Sequence, residues 1–507
     1  MVERFYLTTP LYYVNDSPHI GHAYTNIACD ALARYKRLAG ATVYFLTGTD
    51  EHGQKIERAA CSVGLTPIDL ADKMVTRFKD LWKRLNISYT DFIRTTEARH
   101  RSSVEKLFRV IYEKGDIYKG NYKGWYCTPC ESYWTQKQLV NGTCPTCGRE
   151  TEWLAEESYF FRMGVYQDRL LSYIENNRDF IQPLSRRTEI INIIKSGLKD
   201  LSITRTSFDW GIPLPIDKTH VIYVWFDALI NYISALGYSV DEEKFRRFWP
   251  PDVHVIGKDI LKFHAIIWPI MLLAGEIPLP KKVFAHGWWT VEGKKMSKSL
   301  GNVVDPNKVL ESVGVDQFRY FLLREVPFGE DGDFSYKALI HRINSDLAND
   351  LGNLVNRTLA MVERYFHNRI PEKGEDSVLK DVAFSILPRI DRHMNNLEFS
   401  EALKRIWELV NLCNKYVDEK APWNKKGKER SSIIYNLCEA IRFIGILLYP
   451  FMPNKSSLII EQLGIKEDIT LQGLSSLNIW GKLSPGTTIR KTGPIFPRID
   501  EDKKRMR

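Results

Sequence analysis

The chain has 507 residues, of which 44% are hydrophobic, and a formal net charge of +9. These values predict a globular protein of more than one domain, and the scattered positive charge permits a polyanionic partner without requiring one. No apolar run approaches the roughly 20 residues of a membrane span, and the N-terminal residues lack the pattern of a secretory signal. We therefore expect a cytoplasmic protein that has no membrane segment.

The first fifty residues have the pattern of a strand, a turn, a helix and a second strand. The run "RFYLTTPLYY" is short and apolar, and the segment Ile20–Leu38 places apolar side chains three or four apart, as one buried helix face requires. Residues 16–18 supply helix-start signals. The next apolar run, "ATVYFLTGTDEHG", completes a right-handed parallel unit and carries Asp50 at its end.

The remaining chain alternates strands and helices up to about residue 335 and is helical beyond it. Helical patterns cover about residues 67–85 and 96–115, and later apolar runs end in polar or aromatic residues, as strands at the active sites of open α/β sheets do. In the helical part we expect breaks at Pro371, Pro388, Pro422 and Pro450.

These patterns predict an α/β fold followed by an all-α helical bundle. The predicted units are a Rossmann-type parallel-sheet domain in two halves, a small cysteine-bearing insertion, a loop with a linking segment, and the helical-bundle domain. Their bounds are 1–115 and 154–290 for the two halves, 116–153 for the insertion, 291–335 for the loop and link, and 336–507 for the bundle.

Two histidines three residues apart mark the start of the first helix. His19 and His22 present their rings on one side of the first turn, and Gly21 between them leaves the backbone open. A helix N-terminus favours phosphate, and imidazoles can donate hydrogen bonds to its oxygens, so one interpretation is a nucleotide site. The alternative is a capping histidine next to a surface histidine.

A second motif, "EGKKMSKSLGN", places Lys294, Lys295 and Lys298 with two serines in a loop bounded by glycines. Mobile ammonium groups can follow negative charge as it develops on a transferring phosphate. The alternative is a basic surface turn without a binding role, because lysine-rich loops are usually exposed to solvent.

Together, "HIGH" and "KMSKS" resemble the paired signatures of class I aminoacyl-tRNA synthetases. Longer blocks along essentially the whole chain are similar to methionyl-tRNA synthetases: "TTPLYYVNDSPHIGH", "GTDEHG", "VWFDALINY", "GKDILKFHAIIWP", "KMSKSLGNVV", "LGNLVNR" and "YVDEKAPW". The resemblance implies a bacterial-type methionine–tRNA ligase that works through methionyl-adenylate. It also implies ATP, Mg²⁺ and Zn²⁺ as cofactors and both initiator and elongator tRNA(Met) as partners.

The resemblance also assigns roles to individual residues. The catalytic residues would be His19, His22, Lys295 and Lys298. The ATP site would comprise His19, Gly21, His22, Gly257, Asp259, Lys295, Met296, Ser297 and Lys298. The methionine site would comprise Leu11, Tyr13, Asp50, Trp225, Ala228, Tyr232, Phe263, His264 and Trp268, with Asp50 binding the substrate ammonium.

The chemistry of the methionine side chain agrees with a site lined by aromatic residues. A thioether is soft and polarizable, and aromatic rings that meet the sulfur at their edges give it contacts that a branched aliphatic side chain does not make. The alternative for tryptophans such as Trp225 and Trp268 is an ordinary place in the hydrophobic core.

Four cysteines form the most specific local pattern, C-x2-C-x13-C-x2-C: Cys127, Cys130, Cys144 and Cys147. Four thiolates suit tetrahedral zinc and leave no position for a catalytic water, so we predict one structural zinc ion. Two disulfides or a redox pair are the alternatives, and a reducing compartment disfavours disulfides. The other four cysteines lie in helical patterns and are expected to be buried thiols: Cys29, Cys61, Cys413 and Cys438.

In the helical part, Asn353 and Arg357 lie four residues apart and share a face, and Trp423 follows a helix end. A polar pair with a stacking ring can read an unstacked base. Without the resemblance, a solvated face and a rim residue are the simpler interpretation. The resemblance assigns all three residues to the anticodon of the tRNA.

Three other kinds of protein share part of this pattern. Synthetases for leucine, valine or isoleucine share both signatures but usually carry a much longer editing insertion than the segment between residues 115 and 155. A noncatalytic relative would tend to lose signature residues, and a zinc-ribbon binding module would account for only the insertion. The chain ends without an appended tRNA-binding domain, so a monomer is expected.

Overall fold

The computed structural model describes residues 3–291, 293–296, 302–374 and 377–500. The N-terminal part alternates strands and helices as the sequence predicts. Its elements are β1 Arg4–Tyr13, α1 Ile20–Leu38, β2 Thr42–Asp50, α2 Gln54–Ser62, α3 Pro67–Arg84, β3 Asp91–Arg94 and α4 Ala98–Glu113. An antiparallel insertion follows, with β4 Ile117–Cys127, β5 Ser132–Trp134 and β6 Glu152–Phe161.

The alternation then resumes and continues to residue 334. The helices and strands are α5 Gln167–Asn176, β7 Ile181–Gln182, α6 Leu184–Lys195, β8 Leu201–Ser202, β9 Thr204–Arg205, β10 Pro213–Leu214, β11 Asp217–Ile222, α7 Val224–Ala228, α8 Asn231–Ser234, α9 Glu242–Phe248, β12 Val253–Gly257, α10 Trp268–Ala274, β13 Val283–His286, β14 Trp289–Val291, β15 Lys294–Lys295, α11 Pro306–Val313, α12 Val315–Arg324 and β16 Gly332–Phe334. A π-helix, Phe263–Ile267, leads directly into α10.

The central sheet has six strands in the order β3–β2–β1–β12–β13–β7, and all neighbouring strands are parallel. This confirms the predicted α/β fold. The chain runs outward from β1 to β3 and later returns to the other side of β1 with β12. Such a reversal of strand order opens a crevice at the carboxyl ends of the two strands that flank it.

Both faces of the central sheet are buried, which explains why its strands are almost continuously apolar. Leu7, Phe45 and Val255 pack into one core, whereas their neighbours Tyr6 and Leu46 pack into the core on the opposite face. This is the alternation of side chains that a strand imposes. The insertion forms a separate sheet in the order β5–β4–β6–β8, so its antiparallel pairing extends past residue 153 to β8.

The described residues from 336 onward form a helical bundle, as predicted. Its α-helices are α13 Tyr336–Arg342, α14 Asn353–Phe366, α15 Val378–Asn395, α16 Phe399–Lys420, α17 Gly427–Leu448, α18 Pro453–Gln462 and α19 Ile469–Gln472, and a π-helix, Ile343–Gly352, joins α13 to α14. Helix α17 is long and apolar enough to cross a membrane, but 94% of its most apolar stretch is buried inside the protein. Its composition is therefore that of a core helix.

Two details of the sequence-based predictions are wrong. Pro388 does not break a helix but lies inside α15, where Ile386 and Ile390 on either side of it are buried. Packing of that face offsets the lost backbone hydrogen bond, a cost of roughly 3 kcal/mol. Cys61 lies in α2 but is exposed, because α2 turns only Ile56 and Ala60 toward the interior.

A buried arginine, Arg319, links the first helix to the bundle. Arg319 in α12 contacts Asp30 in α1 at 2.6 Å, and both side chains are fully buried. The same guanidinium donates to the carbonyl of Phe451 at 3.0 Å, just after α17. The nearby Arg319 and Arg34 lower the pKa of Asp30 against the effect of its burial. This network fixes the bundle against the first helix, whose N-terminus lies at the crevice.

Candidate active site

The crevice predicted by the strand order is a cavity of about 790 Å³. It lies at the carboxyl ends of β1, β12 and β13 and at the N-terminus of α1. Residues that line it include Leu11, Tyr13, His19, Gly21, His22, Trp225, Gly257, Asp259, His286, Trp288 and Met296. The structure thus brings together six of the nine residues predicted for the ATP site and part of the predicted methionine site. Cys147 and Arg149 of the insertion close one side.

The two histidines stack on each other at the start of α1. Their ring centroids lie 3.8 Å apart at an angle of 24°. The Nδ1 atom of His19 accepts from the backbone N–H of Gly21, and the Nδ1 atom of His22 accepts from the backbone N–H of His19, both at 3.1 Å. The expected capping role and the expected nucleotide role are therefore compatible, because capping uses only one nitrogen of each ring.

Burial lowers the pKa of His19, and it lowers the pKa of His22 well below the ordinary value, with further contributions from His19 and Lys55. Both rings are thus neutral near pH 7. Because each Nδ1 accepts a hydrogen bond, the single proton of each ring is on Nε2. Each histidine can offer this N–H to a phosphate oxygen.

The backbone donors at this helix start are used within the protein. The N–H of Ile20 donates to the carbonyl of Val304 at 3.3 Å, and the N–H of His22 donates to the carbonyl of His19 at 3.0 Å. The donors that remain for a phosphate at this helix start are the imidazole Nε2–H groups, and their contact with a nucleotide stays a prediction. A side chain at position 21 would lie 3.0 Å from the His19 ring, and Gly21 itself lines the cavity, so its expected role at a nucleotide site stays a prediction.

The opposite wall of the cavity is formed after β12 and β13. Asp259 accepts a hydrogen bond from Trp288 Nε1 at 3.0 Å, and a side chain at Gly257 would lie 2.6 Å from that carboxylate. His286 bonds the Thr25 hydroxyl at 2.8 Å. His286 and Trp288 were not singled out from the sequence, although each lies in the strand-end position where active-site residues of such sheets occur.

The lysine-rich motif begins in the hairpin of β14 and β15. The N–H of Gly293 donates to Asp333 at 2.9 Å, and the side chain of Met296 lines the cavity. Ser297, Lys298 and the side chain of Lys295 lie outside the described residues. Their predicted contact with a nucleotide stays a prediction.

A small cavity of about 20 Å³ adjoins the large one. Seven of the nine residues predicted to hold methionine line it: Leu11, Tyr13, Asp50, Trp225, Ala228, Tyr232 and His264. Phe263 stacks on Trp225 with ring centroids 3.8 Å apart. Trp268 lies one layer deeper, behind Tyr232, and donates to His254 at 3.3 Å. It supports the wall from the hydrophobic core.

Asp50 is the charged group of this small cavity. Its carboxylate is 2% exposed, and within the described part of the chain Oδ1 has no hydrogen-bond partner. Burial raises the pKa of Asp50 well above the ordinary value, and the carboxylates of Glu131 and Asp227 raise it further. A buried carboxylate oxygen without a hydrogen-bond partner is costly, so Oδ1 favours a cationic ligand at this position.

Two residues next to this cavity were missed by sequence reasoning. Glu131 accepts a hydrogen bond from the Tyr13 hydroxyl at 2.7 Å, and Lys55 places its Nζ 3.8 Å from the centre of the Tyr13 ring. Glu131 belongs to the insertion, so spacing along the chain gives no signal for its contact with β1. Lys55 lies in the first turn of α2, where a lysine is usually solvated.

The four predicted zinc ligands meet at one point. Their Sγ atoms all lie within 4.8 Å of one another, and those of Cys127 and Cys147 are 3.6 Å apart. A tetrahedron with zinc–sulfur bonds of about 2.3 Å has edges of about 3.8 Å, whereas a disulfide needs about 2.05 Å. All four are free thiols. The donor set and its spacing fit a closed tetrathiolate zinc site and favour it over two disulfides.

The predicted anticodon residues are all exposed on the surface of the bundle. Arg357 in α14 pairs with Asp418 in α16 at 2.6 Å, and Asn353 is exposed one turn earlier. Trp423 lies in the 3₁₀ helix Pro422–Asn424 that follows α16, and 45% of its surface is exposed. Asn353 and Arg357 therefore form an exposed polar pair on α14, and the Trp423 ring is accessible after α16.

Comparison with known proteins gives two family matches. The family described as "tRNA synthetases class I (M)" matches residues 5–153 and 149–359, and the "Anticodon-binding domain of tRNA ligase" matches residues 379–487. The methionine–tRNA ligase of Caldanaerobacter subterraneus subsp. tengcongensis is 56% identical over 99% of this chain and 80% of that protein. The ligase of the same name from Clostridium acetobutylicum is 52% identical over 99% of this chain and 79% of that protein.

Solved structures agree with the sequence matches. Mycobacterium tuberculosis methionyl-tRNA synthetase in complex with methionyl-adenylate superimposes with a TM-score of 0.95 at 43% identity, covering 98% of this chain and 100% of that chain. The apo form of that enzyme superimposes with a TM-score of 0.88 at 40% identity, covering 99% of each chain.

Proposed function

This chain belongs to the methionine-specific class I tRNA synthetases, and we propose on that premise which of its residues carry out the reaction. The reaction is the ATP-dependent attachment of L-methionine to tRNA through methionyl-adenylate. The observation that carries the assignment of the amino-acid site is Asp50, a buried carboxylate without a hydrogen-bond partner for Oδ1 among the described residues. It matches the charge of the α-ammonium of methionine.

The two neighbouring cavities bind different substrates. The large cavity takes ATP against His19 and His22, and the small one takes the methionine side chain between Trp225 and Tyr232. The small cavity holds about 20 Å³, roughly the space of one water molecule. The aromatic wall must therefore move when the thioether enters, and the stacked pair of Trp225 and Phe263 is the element nearest to it.

In the first step, a carboxylate oxygen of methionine attacks the α-phosphorus of ATP. The new oxygen–phosphorus bond forms as the bond from the α-phosphorus to the bridging oxygen breaks, and pyrophosphate leaves with that electron pair. The Nε2–H groups of His19 and His22 donate to the phosphate oxygens as their charge increases. We assign Lys295 and Lys298 to the departing pyrophosphate, and Gly257 and Asp259 to the nucleoside part of ATP.

In the second step, the terminal ribose hydroxyl of the tRNA attacks the carbonyl carbon of the adenylate. An ester forms, the bond from that carbon to the phosphate oxygen breaks, and AMP leaves as the hydroxyl proton passes to a phosphate oxygen. The exclusion of water by the aromatic walls protects the mixed anhydride between the two steps. We propose that Mg²⁺ accompanies ATP and neutralises its phosphate charge.

We assign one structural zinc ion to Cys127, Cys130, Cys144 and Cys147, because these four thiols form a closed set of donors. We assign Asn353, Arg357 and Trp423 to the tRNA anticodon. Their exposure supports this role, since an unstacked base can stack on the indole while the polar pair reads its edge.

We further propose that the enzyme acts in the cytoplasm as a monomer and charges both initiator and elongator tRNA(Met). Burial of the most apolar helix inside the bundle supports a protein that needs no membrane. Sedimentation of the purified enzyme gives its mass in solution, and aminoacylation of the two purified tRNAs compares them directly.

Amino-acid-dependent exchange of pyrophosphate into ATP tests the function. Only L-methionine among the standard amino acids should support rapid exchange, and charging should require tRNA(Met). Because one methylene is worth roughly 1–3 kcal/mol in a hydrophobic pocket, homocysteine is the competitor to include. Exchange that is equally fast with leucine or isoleucine would contradict the assignment.

A further inference from the structure

Glu131 extends from the cysteine cluster toward the small cavity. It follows the zinc-ligand candidate Cys130 directly, yet its side chain is 2% exposed and reaches β1, where Oε2 accepts the hydrogen bond from the Tyr13 hydroxyl at 2.7 Å. The two residues are 118 positions apart in the sequence. A carboxylate of the insertion therefore contacts a wall residue of the amino-acid site.

The backbone holds Glu131 in this orientation. Its φ is +50°, a left-handed conformation that is uncommon for a residue with a side chain. The Tyr223 hydroxyl donates to its backbone carbonyl. On the other side, Gly53 leaves room for the carboxylate, because a side chain there would lie 2.9 Å from Oε1. Three elements thus fix the position of one acidic side chain.

Tyr13 depends on this contact. It lines both cavities, and its backbone pairs in register with Asp50 on β2, so its ring lies beside the ammonium site. Lys55 covers the ring face, and the hydroxyl is bonded to Glu131. Without an acceptor at position 131, the phenol would have to find a new partner or turn away from the cavity wall.

We propose that Glu131 is a positioning residue that fixes Tyr13 beside Asp50 and makes methionine affinity depend on the folded cysteine cluster. This inference rests on the proposed amino-acid site and deepens it. Glu131 does not contact the reacting atoms, so its effect should fall on methionine binding rather than on the rate of adenylate formation. The cysteine cluster would then influence methionine binding in addition to stabilising the insertion.

The experiment compares Glu131→Ala with Glu131→Gln, which keeps a hydrogen-bond acceptor. We expect Glu131→Ala to raise the Kd for methionine, measured by calorimetry, and the methionine KM in pyrophosphate exchange by about tenfold, the scale of one lost charge-assisted hydrogen bond. The kcat should change less than about twofold on that scale. Glu131→Gln should recover most of the affinity. Glu150→Ala, an exposed acid in the same insertion, is the matched control and should bind methionine like the wild type.

A double-mutant cycle tests whether Glu131 acts through Tyr13. Tyr13→Phe should weaken methionine binding by a similar factor, and adding Glu131→Ala to it should cause no further loss. Cys144→Ser should weaken methionine binding through the same contact, so Glu131→Ala should add little in that background as well. Full additivity in either cycle would overturn the proposed coupling.

The failure of this inference differs from the failure of the proposed function. If the amino-acid site is assigned wrongly, the wild-type enzyme itself will not bind methionine in the calorimeter. If only the inference is wrong, the wild type will bind methionine and Glu131→Ala will bind it equally well. A third result, in which both variants at position 131 lose kcat and melting temperature while KM is unchanged, would show a purely structural role and also overturn the proposal.

Discussion

The imidazole rings of His19 and His22 are stacked 3.8 Å apart, and each uses its Nδ1 atom to accept a backbone N–H at the start of α1. The helix start is therefore capped by the same side chains that line the nucleotide cavity. This division of the two ring nitrogens allows capping and catalysis to be separated by substitution.

His22→Asn should retain the cap, since the amide oxygen can take the place of Nδ1, but it should lose the Nε2 donor. We expect adenylate formation to slow by about 100- to 1000-fold, the equivalent of about 2.7–4 kcal/mol for one preorganised donor. His22→Gln places an amide N–H near the position of Nε2 and should recover part of the rate. Single-turnover formation of methionyl-adenylate measures the effect, and calorimetry should show nearly unchanged methionine binding.

The opposite pattern would contradict the assignment. If the asparagine and glutamine variants react at the wild-type rate but melt earlier, the histidine serves only the helix start, where a lost cap is worth roughly 0.5–2 kcal/mol.

Removal of one cysteine ligand tests the metal site. Cys144 is buried in the cluster, and a closed tetrathiolate contributes to folding, so Cys144→Ser should reduce the zinc content from one equivalent per chain and destabilise the insertion. The helical content of the bundle should remain. Elemental analysis and far-ultraviolet circular dichroism measure the two effects. Cys61→Ser, at an exposed thiol remote from the cluster in sequence, is the control and should retain its zinc.

The sequence predicted the features that depend on local rules. The period of apolar residues gave α1 and its start at the two histidines, because a helix face repeats every three or four residues. The ends of the apolar strands indicated where polar residues such as Asp50 would gather. The spacing of the cysteines was sufficient for a four-thiol site because tight turns bring each C-x-x-C pair together.

The features that were missed depend on contacts between distant segments. The hydrogen bond between Tyr13 and Glu131 joins a strand to an insertion, and no periodic pattern in the sequence indicates such a contact. Trp268 is aromatic and near the site in sequence, but only packing decides that it lies behind Tyr232 rather than at the cavity surface. Pro388 remains inside a helix because tertiary packing overrides its local preference.

His264 predicts how stability depends on pH. Burial lowers its pKa to about 4 from an ordinary value of 6.5, and its ring bonds Tyr232 at 2.7 Å and the carbonyl of Ile260 at 3.0 Å. Because the folded pKa lies below the unfolded pKa, the stabilising contribution is complete above pH 6.5 and is lost as the pH falls toward 4. The full effect is about 3 kcal/mol.

His264→Gln does not titrate in this range. Its free energy of unfolding should therefore fall less steeply between pH 6.5 and 4 than that of the wild type, by the equivalent of about one proton. Denaturant unfolding at several pH values measures the slopes. Identical slopes for the two proteins would show that His264 is protonated equally in the folded and unfolded states.

Asp50→Asn should weaken methionine binding and stabilise the free enzyme. The buried carboxylate has a raised pKa, so its ionisation opposes folding increasingly as the pH rises from its unfolded value toward its folded one. The amide removes that charge, and we expect the free enzyme to gain stability at pH 8, on the order of 1–3 kcal/mol. Methionine should raise the melting temperature of the wild type but not of the variant. A variant that is still stabilised by methionine would exclude Asp50 as the ammonium partner.

The final prediction separates tRNA recognition from amino-acid activation and concerns Trp423. The indole is 45% exposed next to the end of α16, far in sequence from the histidines. If an anticodon base stacks on it, Trp423→Ala should lower tRNA affinity by about 10- to 100-fold, the equivalent of roughly 1–3 kcal/mol per stacked base. Methionine-dependent pyrophosphate exchange should stay near the wild-type rate, because the ring does not reach the cavity.

Arg357→Ala should have the same selective effect, and Asp418→Ala provides its counterpart. The ion pair between these residues is exposed and contributes little to stability, so neither change should lower the melting temperature much. Removal of Asp418 frees the guanidinium for tRNA, and we expect equal or tighter tRNA binding in that variant. Leu471→Ala, at an exposed apolar side chain of the same domain, is the control. Equal losses in aminoacylation and exchange, together with a lower melting temperature, would assign Trp423 and Arg357 to bundle stability instead of anticodon recognition.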